Sequence, residues 1–395
     1  MDLIGRRDLL FPDLQARAYW AFAAISPLAK PAREAVDAWH LKLAQEGMAA
    51  FAAGLEGRER LRTELAGLLG GEPSAYGLLH GTTAGLIALA HSLAWRPGDR
   101  IVIFDDEFPA NTVPWREVAR DHRLGIDVLA LAPFATDPER GIAHLEAVLR
   151  RGGTRLVTVS AVEFQTGLAL PLKDLAAACH RHGALLAVDA IQAAGILPLD
   201  LPALGVDFAV GGGHKWLLGT DGAGWMYVAE AARERLGTAM AGWLSFAGGP
   251  RFLFEPGRLH DEREHVPAPQ VFEGGSSSTA AVLALLAGVE LCRAVTPAMA
   301  MAHVQMLHDR VEPRLVALGF TSERTAFAAG RSGTLSARPP HGVRLGLLQA
   351  ALARRGVVAT IPDGRLRLAP HFVSTIAEAD VLVDALAEAV PEAVS

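Results

Sequence analysis

The chain contains four lysines, Lys30, Lys42, Lys173 and Lys215, and Lys215 is the one whose surroundings could make an amine reactive. It lies in Gly211-Gly-Gly-His-Lys-Trp-Leu-Leu-Gly219, directly after a short apolar run of strand character. Three glycines let the backbone approach another group closely. An amine held in apolar surroundings loses affinity for its proton and can attack a carbonyl. A P-loop is excluded, because Trp216 follows the lysine where that motif needs Ser or Thr. A second candidate is Asp189, in Ala187-Val-Asp-Ala-Ile-Gln-Ala-Ala194, at the carboxyl end of another apolar run. Open α/β sheets bind their ligands at such strand ends. A carboxylate buried there is costly unless a cation pairs with it, and a protonated ring nitrogen would serve; a helix N-cap is the competing reading. The third candidate is His80-Gly-Thr-Thr-Ala-Gly85, which opens a helical run over 86–92. Free N–H groups at a helix start suit a phosphate, and Thr82 and Thr83 add hydroxyl donors, although a plain threonine cap would look the same.

These residues need a scaffold, and the pattern between 100 and 228 supplies one. Short apolar runs at 101–104, 126–131, 156–159, 184–188, 208–210 and 224–228 alternate with helical stretches at 115–122, 142–151 and 175–182. Near-continuous apolar character predicts strands buried on both faces, and the βαβ alternation predicts an α/β fold with a mostly parallel sheet flanked by helices. Residues 240–278, rich in Gly and Pro, read as a long irregular connection of the kind that often walls an active site. Helical patterns follow at 279–295 and 297–318, then a small α+β tail: strand 334–337, helix 345–354, strands 357–360 and 365–368, helix 376–389. A length of 395 residues suits two or three domains. The expected division is a large α/β domain over 15–280 and a small C-terminal domain over 281–395 that also takes in residues 1–14.

Each motif is weak alone, but their order resembles that of the fold-type I enzymes dependent on pyridoxal 5′-phosphate (PLP). The resemblance is to the class V aminotransferase group, which also holds cysteine desulfurases, kynureninases and isopenicillin N epimerase-like proteins. It runs from Ala24-Ile-Ser-Pro-Leu28, similar to the family's entrance segment, to Arg367. It implies that Lys215 carries PLP as an internal Schiff base and later shuttles the Cα proton. Asp189 would pair with the pyridinium nitrogen and Gln192 would hydrogen-bond the phenolic oxygen. Thr83, with Thr82 beside it, and His214 would bind the phosphate. Phe108, in Glu107-Phe-Pro-Ala-Asn-Thr-Val-Pro-Trp115, holds the position whose ring stacks on the cofactor, where many relatives have histidine. Phe272-Glu-Gly-Gly-Ser-Ser-Ser-Thr279 is similar to the segment that reaches a neighbouring subunit's phosphate site. Ser276 would be its donor, and the protein a homodimer with a shared active site. Arg367 matches the arginine that clamps the substrate α-carboxylate, and Arg365, two residues away on the same predicted strand, competes for that role.

The departures bear on the reaction. Desulfurases carry a catalytic cysteine shortly before the carboxylate arginine, whereas 357–363 has none. Gly212 replaces a serine or threonine often found three residues before the lysine, and Glu163 stands where desulfurases and kynureninases have asparagine near the cofactor's oxygen. The expected activity is an aminotransferase, followed by a C–S or other β-lyase and an amino-acid epimerase; a PLP-binding homologue without catalysis is the reading from another class.

The rest of the sequence narrows the setting. A net charge of −6 gives nucleic acid or an anionic membrane no hold, and no apolar run reaches the length of a membrane span. Cys179 and Cys292 have no metal-ligand spacing and read as buried thiols. No metal site is expected. His303 and His308 miss the i, i+4 spacing, and His260-Asp-Glu-Arg-Glu-His265 reads as a solvated charge run. Arg6-Arg7 is only faintly like an export signal, since Pro12, Asp13 and Arg17 interrupt the apolar stretch that should follow; the expected location is the cytoplasm.

Overall fold

Seven short strands pair into one sheet in a computed structural model that describes residues 3–250 and 263–394. Their spatial order is Tyr76–Leu79, Gly224–Val228, Phe208–Gly212, Leu185–Asp189, Thr154–Ser160, Arg100–Phe104 and Gly125–Leu129. The last five run parallel, and Gly224–Val228 is antiparallel to both its neighbours. The sheet is thus mostly parallel, as the apolar pattern predicted. Four of the parallel strands are almost wholly buried. The fifth is not: Gly125–Leu129 forms the sheet edge, Val128 is exposed there, and the chain leaves the strand before Leu131. An apolar run at an edge lacks a neighbour on one side, which its composition does not reveal.

Helices cover both faces. Val113–His122, Pro138–Leu149 and Leu172–Arg181 fill the crossovers expected from the pattern. The Asp137 side chain accepts the N–H of Arg140 and so fixes one helix start. Two helices absent from the sequence reading, Lys30–Glu46 and Phe51–Leu69, pack against the apolar helix Thr279–Val295. Gly288 lies on that last helix, where a Cβ would meet the Leu217 carbonyl at 2.0 Å. Its missing side chain is what lets the helix press on the loop that carries Lys215.

The C-terminal region builds a three-stranded antiparallel sheet, Leu366–Leu368 beside Leu335–Arg338 beside Thr321–Ser322. Helices Pro297–Ala317, Leu345–Arg354 and Ile376–Glu392 pack around it, the last opened by a capping box between Thr375 and Glu378. Ala18–Tyr19 pairs in parallel with Val357–Val358, and Ala18 and Trp20 belong to this second core. The N-terminal segment therefore crosses from one core to the other, passing the site on the way. Among the described residues no single helix is long and apolar enough to cross a membrane.

Candidate active site

Parallel strands deliver their carboxyl ends to one side of the sheet, and the candidate residues meet there. Asp189 and Ser160 end adjacent strands in register with each other. Phe208–Gly212 runs straight into the Lys215 loop, and the strand ending at Leu79 leads into the helix Thr82–Ser92. A cavity of about 740 Å³ opens between them, within the range of small-molecule sites. Thr82, Thr83, Phe108, Asp189, Gln192, His214, Lys215 and Arg367 all line it. Ser276 does not: it is exposed, between Ser277, which bonds Arg58, and Ser278, which caps Thr279–Val295.

The lysine loop is held from several sides. The Trp216 indole N–H donates to the Gln192 side-chain oxygen at 2.9 Å, and the Gln192 amide donates to the Ala23 carbonyl at 3.0 Å. The Ser26 N–H donates to the His214 carbonyl, so the entrance segment is laced to the loop, and Ala23 and Ala24 join the cavity wall. The buried His371 Nε2 lies 2.9 Å from the Trp216 carbonyl. Leu218 adopts a left-handed backbone (φ 57°), a conformation that costs a branched residue energy and persists because the surroundings hold it. Lys215 is thereby fixed in place. Burial, assisted by the charge of Arg367 and opposed by that of Asp189, lowers its pKa to about 8.

Three groups in this cavity lack the partners that burial demands. Asp189 is 2% exposed and accepts a hydrogen bond from the Ile191 N–H. Burial raises its pKa to about 6 against that N–H and the charge of Lys215, and no cation within ion-pair distance answers it among the described residues. The Thr82 hydroxyl, at the helix start, is buried with no hydrogen-bond partner. Arg367 is 5% exposed; its Nε donates to Thr360 Oγ1 at 3.0 Å and its Nη1 to the Phe164 carbonyl at 2.7 Å, with no carboxylate in reach among the described residues. Burial lowers its pKa to about 10, with the charge of Glu163 working the other way. An anion facing a cationic ring nitrogen, a hydroxyl at a helix N-terminus for a phosphate, and a reactive amine between them fit PLP. The cation left over fits a carboxylate.

The structure places Arg365 and Arg367 differently. Arg365 precedes the strand, pairs with Glu323 at 2.7 Å and Asp363 at 3.3 Å, and is not part of the cavity lining. Phe108 is 48% exposed, with its ring centroid 5.9 Å from Lys215 Nζ. His214 is half-buried; burial and then the neighbouring Lys215 lower its pKa.

Other features were not read from sequence. Glu163, at the position where desulfurases and kynureninases have asparagine, turns its carboxylate into its own loop and accepts the N–H groups of Gln165 and Thr166 and the Thr166 hydroxyl. Phe164 takes the place in the cavity wall and meets Phe108 edge to face at 5.3 Å. Ser160 also lines the cavity, its N–H and hydroxyl both given to Glu107 at 2.6 and 2.5 Å. Burial is the main cause that raises Glu107 to about 7, opposed by those bonds and reinforced by Asp189. The adjacency of Glu107 to Phe108 was the available signal. Cys179 and Cys292 are buried outside the cavity, and burial pushes both thiols up to about 12. Part of the charge run at 260–265 lies outside the described residues; His265 stacks on Phe246.

Comparison with known proteins gives one answer. The family model "Aminotransferase class-V" matches residues 45–361. Isopenicillin N epimerase of Streptomyces clavuligerus is 30% identical over 332 residues, 82% of each chain. An uncharacterized aminotransferase of Bacillus subtilis, YcbU, is 25% identical over 96% of each. The cystine C–S lyase C-DES, solved with its product cysteine persulfide, superposes with a TM-score of 0.86 at 25% identity, over 96% of this chain and 100% of that one. The chain belongs to the class V aminotransferase family, has the fold of the fold-type I PLP enzymes, and takes pyridoxal 5′-phosphate as its cofactor.

Proposed function

We propose that this protein is an aminotransferase acting on an α-amino acid, and the observation that carries the reading is the environment of Lys215 Nζ. The amine lies 5.9 Å from the centroid of the Phe108 ring, which holds the position where many relatives carry an acid–base histidine. When bound, PLP supplies an electron sink for charge developing at Cα. The protein's part is to bind, orient and move one proton. Thr82, Thr83 and His214 hold the phosphate, Asp189 keeps the ring nitrogen protonated, and Gln192 hydrogen-bonds the phenolic oxygen with an amide already oriented by Ala23 and Trp216. Phe108 covers the ring with hydrocarbon and keeps water off it. Arg367 holds the substrate carboxylate, which sets Cα beside Lys215. With its pKa lowered to about 8, the Lys215 amine can take the Cα proton and deliver it to a neighbouring carbon on the same face. Transamination needs no more than that one base.

No cysteine lines the cavity, which speaks against persulfide transfer. Ser276, exposed and outside this cavity, suits a donor to a second subunit's phosphate site in a homodimer. The epimerase relatives make return of the proton to Cα the second reading. One experiment separates the outcomes. The PLP-loaded protein is incubated with L-amino acids and a 2-oxo acid acceptor, and Lys215→Ala serves as the control. Equal amounts of new 2-oxo acid and new amino acid support transamination. Loss of optical purity without 2-oxo acid shows epimerisation, and ammonia with pyruvate from a β-substituted donor shows elimination; either result overturns the proposal.

A further inference from the structure

The charge balance around Arg367 defines what kind of substrate the cavity can accept. Arg367 has two hydrogen bonds to neutral oxygens, and its Nη2 has none among the described residues. It can therefore take one carboxylate. Arg365, the next cation along the chain, is committed to Glu323 and Asp363. The negative charge of Glu163 already acts on Arg367. A second carboxylate on a substrate would enter a region where the free cation is spent and where the charge of Glu163 repels it. A charge buried without a partner is strongly disfavoured. The Glu163 carboxylate, already engaged by the N–H groups of Gln165 and Thr166 and by the Thr166 hydroxyl, offers a cationic side chain little.

Phe164 supplies its carbonyl to Arg367 and packs edge to face with Phe108, and Ala23, Ala24, Ile191 and Pro362 add apolar lining to the same cavity. Phe108 and Phe164 are both open to the cavity and not buried in a core. Such surface gains most from being covered by another apolar group. The turn that presents Phe164 is rigid: the Glu163 carboxylate ties down Gln165 and Thr166, and the Ser336 hydroxyl holds the Gln165 carbonyl.

We propose that the substrate is an α-amino monocarboxylic acid with an uncharged, apolar side chain, and that Phe164 is the wall that selects it. The inference rests on the cavity binding an amino acid through Arg367, as in the proposed function, but not on the fate of the Cα proton. Its test is a titration of the PLP-loaded protein, read by the change in its visible spectrum, with L-alanine, L-2-aminobutyrate, L-norvaline, L-leucine, L-aspartate, L-glutamate and L-lysine. Half-saturation should fall roughly fourfold for each methylene added from alanine to norvaline. Glutamate, matched to norvaline in length, should bind about 30-fold more weakly or worse. Phe164→Ala should flatten the chain-length dependence to about twofold per methylene or less. Glutamate or aspartate binding as well as norvaline, or no spectral response to any of the series, overturns the substrate class. An unchanged slope in Phe164→Ala removes Phe164 from the role. A spectral response in the expected order without 2-oxo acid formation would refute transamination and leave the selectivity standing.

Discussion

Replacing Arg367 by methionine, beside the same change at Arg365, tests the assignment of the carboxylate clamp. Methionine keeps much of the arginine's length and apolar stem, so the loss is mainly that of the charge and its hydrogen bonds. At Arg367 the guanidinium is buried, spends Nε and Nη1 on Thr360 and Phe164, and has no protein anion in contact. A carboxylate bound there would lose its one charged partner in a site shielded from water. Truncating one side of such a pair costs about 2–4 kcal/mol, which is roughly a 30- to 1,000-fold fall in kcat/KM. Most of it should appear in KM if the contact is equal in the bound and transition states. At Arg365 the lost partners are Glu323 and Asp363; Glu323 retains Arg338 at 2.6 Å. Arg365→Met should therefore lower Tm modestly and leave KM within about threefold. Steady-state kinetics with any accepted amino acid, together with the Kd of a simple monocarboxylate inhibitor, give the comparison. A large KM effect at Arg365 with little at Arg367 would refute the charge reasoning.

Two pH dependences follow from the buried groups. The amine of Lys215 must be neutral to capture PLP, so the capture rate of the apoprotein should rise with pH to a midpoint near 8, as followed by visible absorbance. Asp189 favours the charged amine, so Asp189→Asn should move that midpoint down; an upward move would contradict the stated causes. For stability, His308 and His371 are fully buried and held neutral, with burial lowering them to about 3 and about 4. Below pH about 6.5 the unfolded chain gains protons that the folded chain does not, so each histidine removes up to about 1.4 kcal/mol of stability per pH unit until its folded value is reached. Urea unfolding between pH 6.5 and 4.5 should show this slope, and His308→Leu should reduce it; an equal slope in that variant would count against the assignment.

The parts of the fold that were legible in the sequence were those whose pattern follows from burial alone. Gly224–Val228, Thr279–Val295 and Leu345–Arg354 have the boundaries their composition suggests, because each carries an apolar run ended by a change of character. The helix Lys30–Glu46 escaped notice because Ala32 is its one fully buried residue, so it has no apolar stripe to read. Tyr76–Leu79 is four residues long with a glycine inside, too short for periodicity to decide. At the site, Asp189 and Lys215 were legible because a charged residue beside a buried strand calls for an explanation. The role of Glu163 was not legible. It stood out only as a departure from the family's asparagine, and its partners are the N–H groups two and three residues onward, a local pairing that a sequence does not distinguish from a distant one.

That contrast explains why the cavity, and not any single motif, carries the functional reading. Elsewhere in the protein the buried charges are answered: Glu273 by Arg58, Arg62 and the Leu78 N–H, Glu378 by Arg7 and its own helix cap, Asp207 by His180 and the Leu186 N–H. Each of those clusters is complete without a ligand. Asp189 and Arg367 are as deeply buried, and neither has an ion pair among the described residues. A fold that needed them only for stability would gain by replacing both with apolar side chains. They stand at the carboxyl end of the sheet and on the adjoining C-terminal strand, with a lysine of lowered pKa between their influences. A ligand that brings its own cation to Asp189, its own carboxylate to Arg367 and a carbonyl to Lys215 would satisfy all three together. The unpaired charges thus match those of the cofactor and, in the proposed function, of an amino-acid substrate.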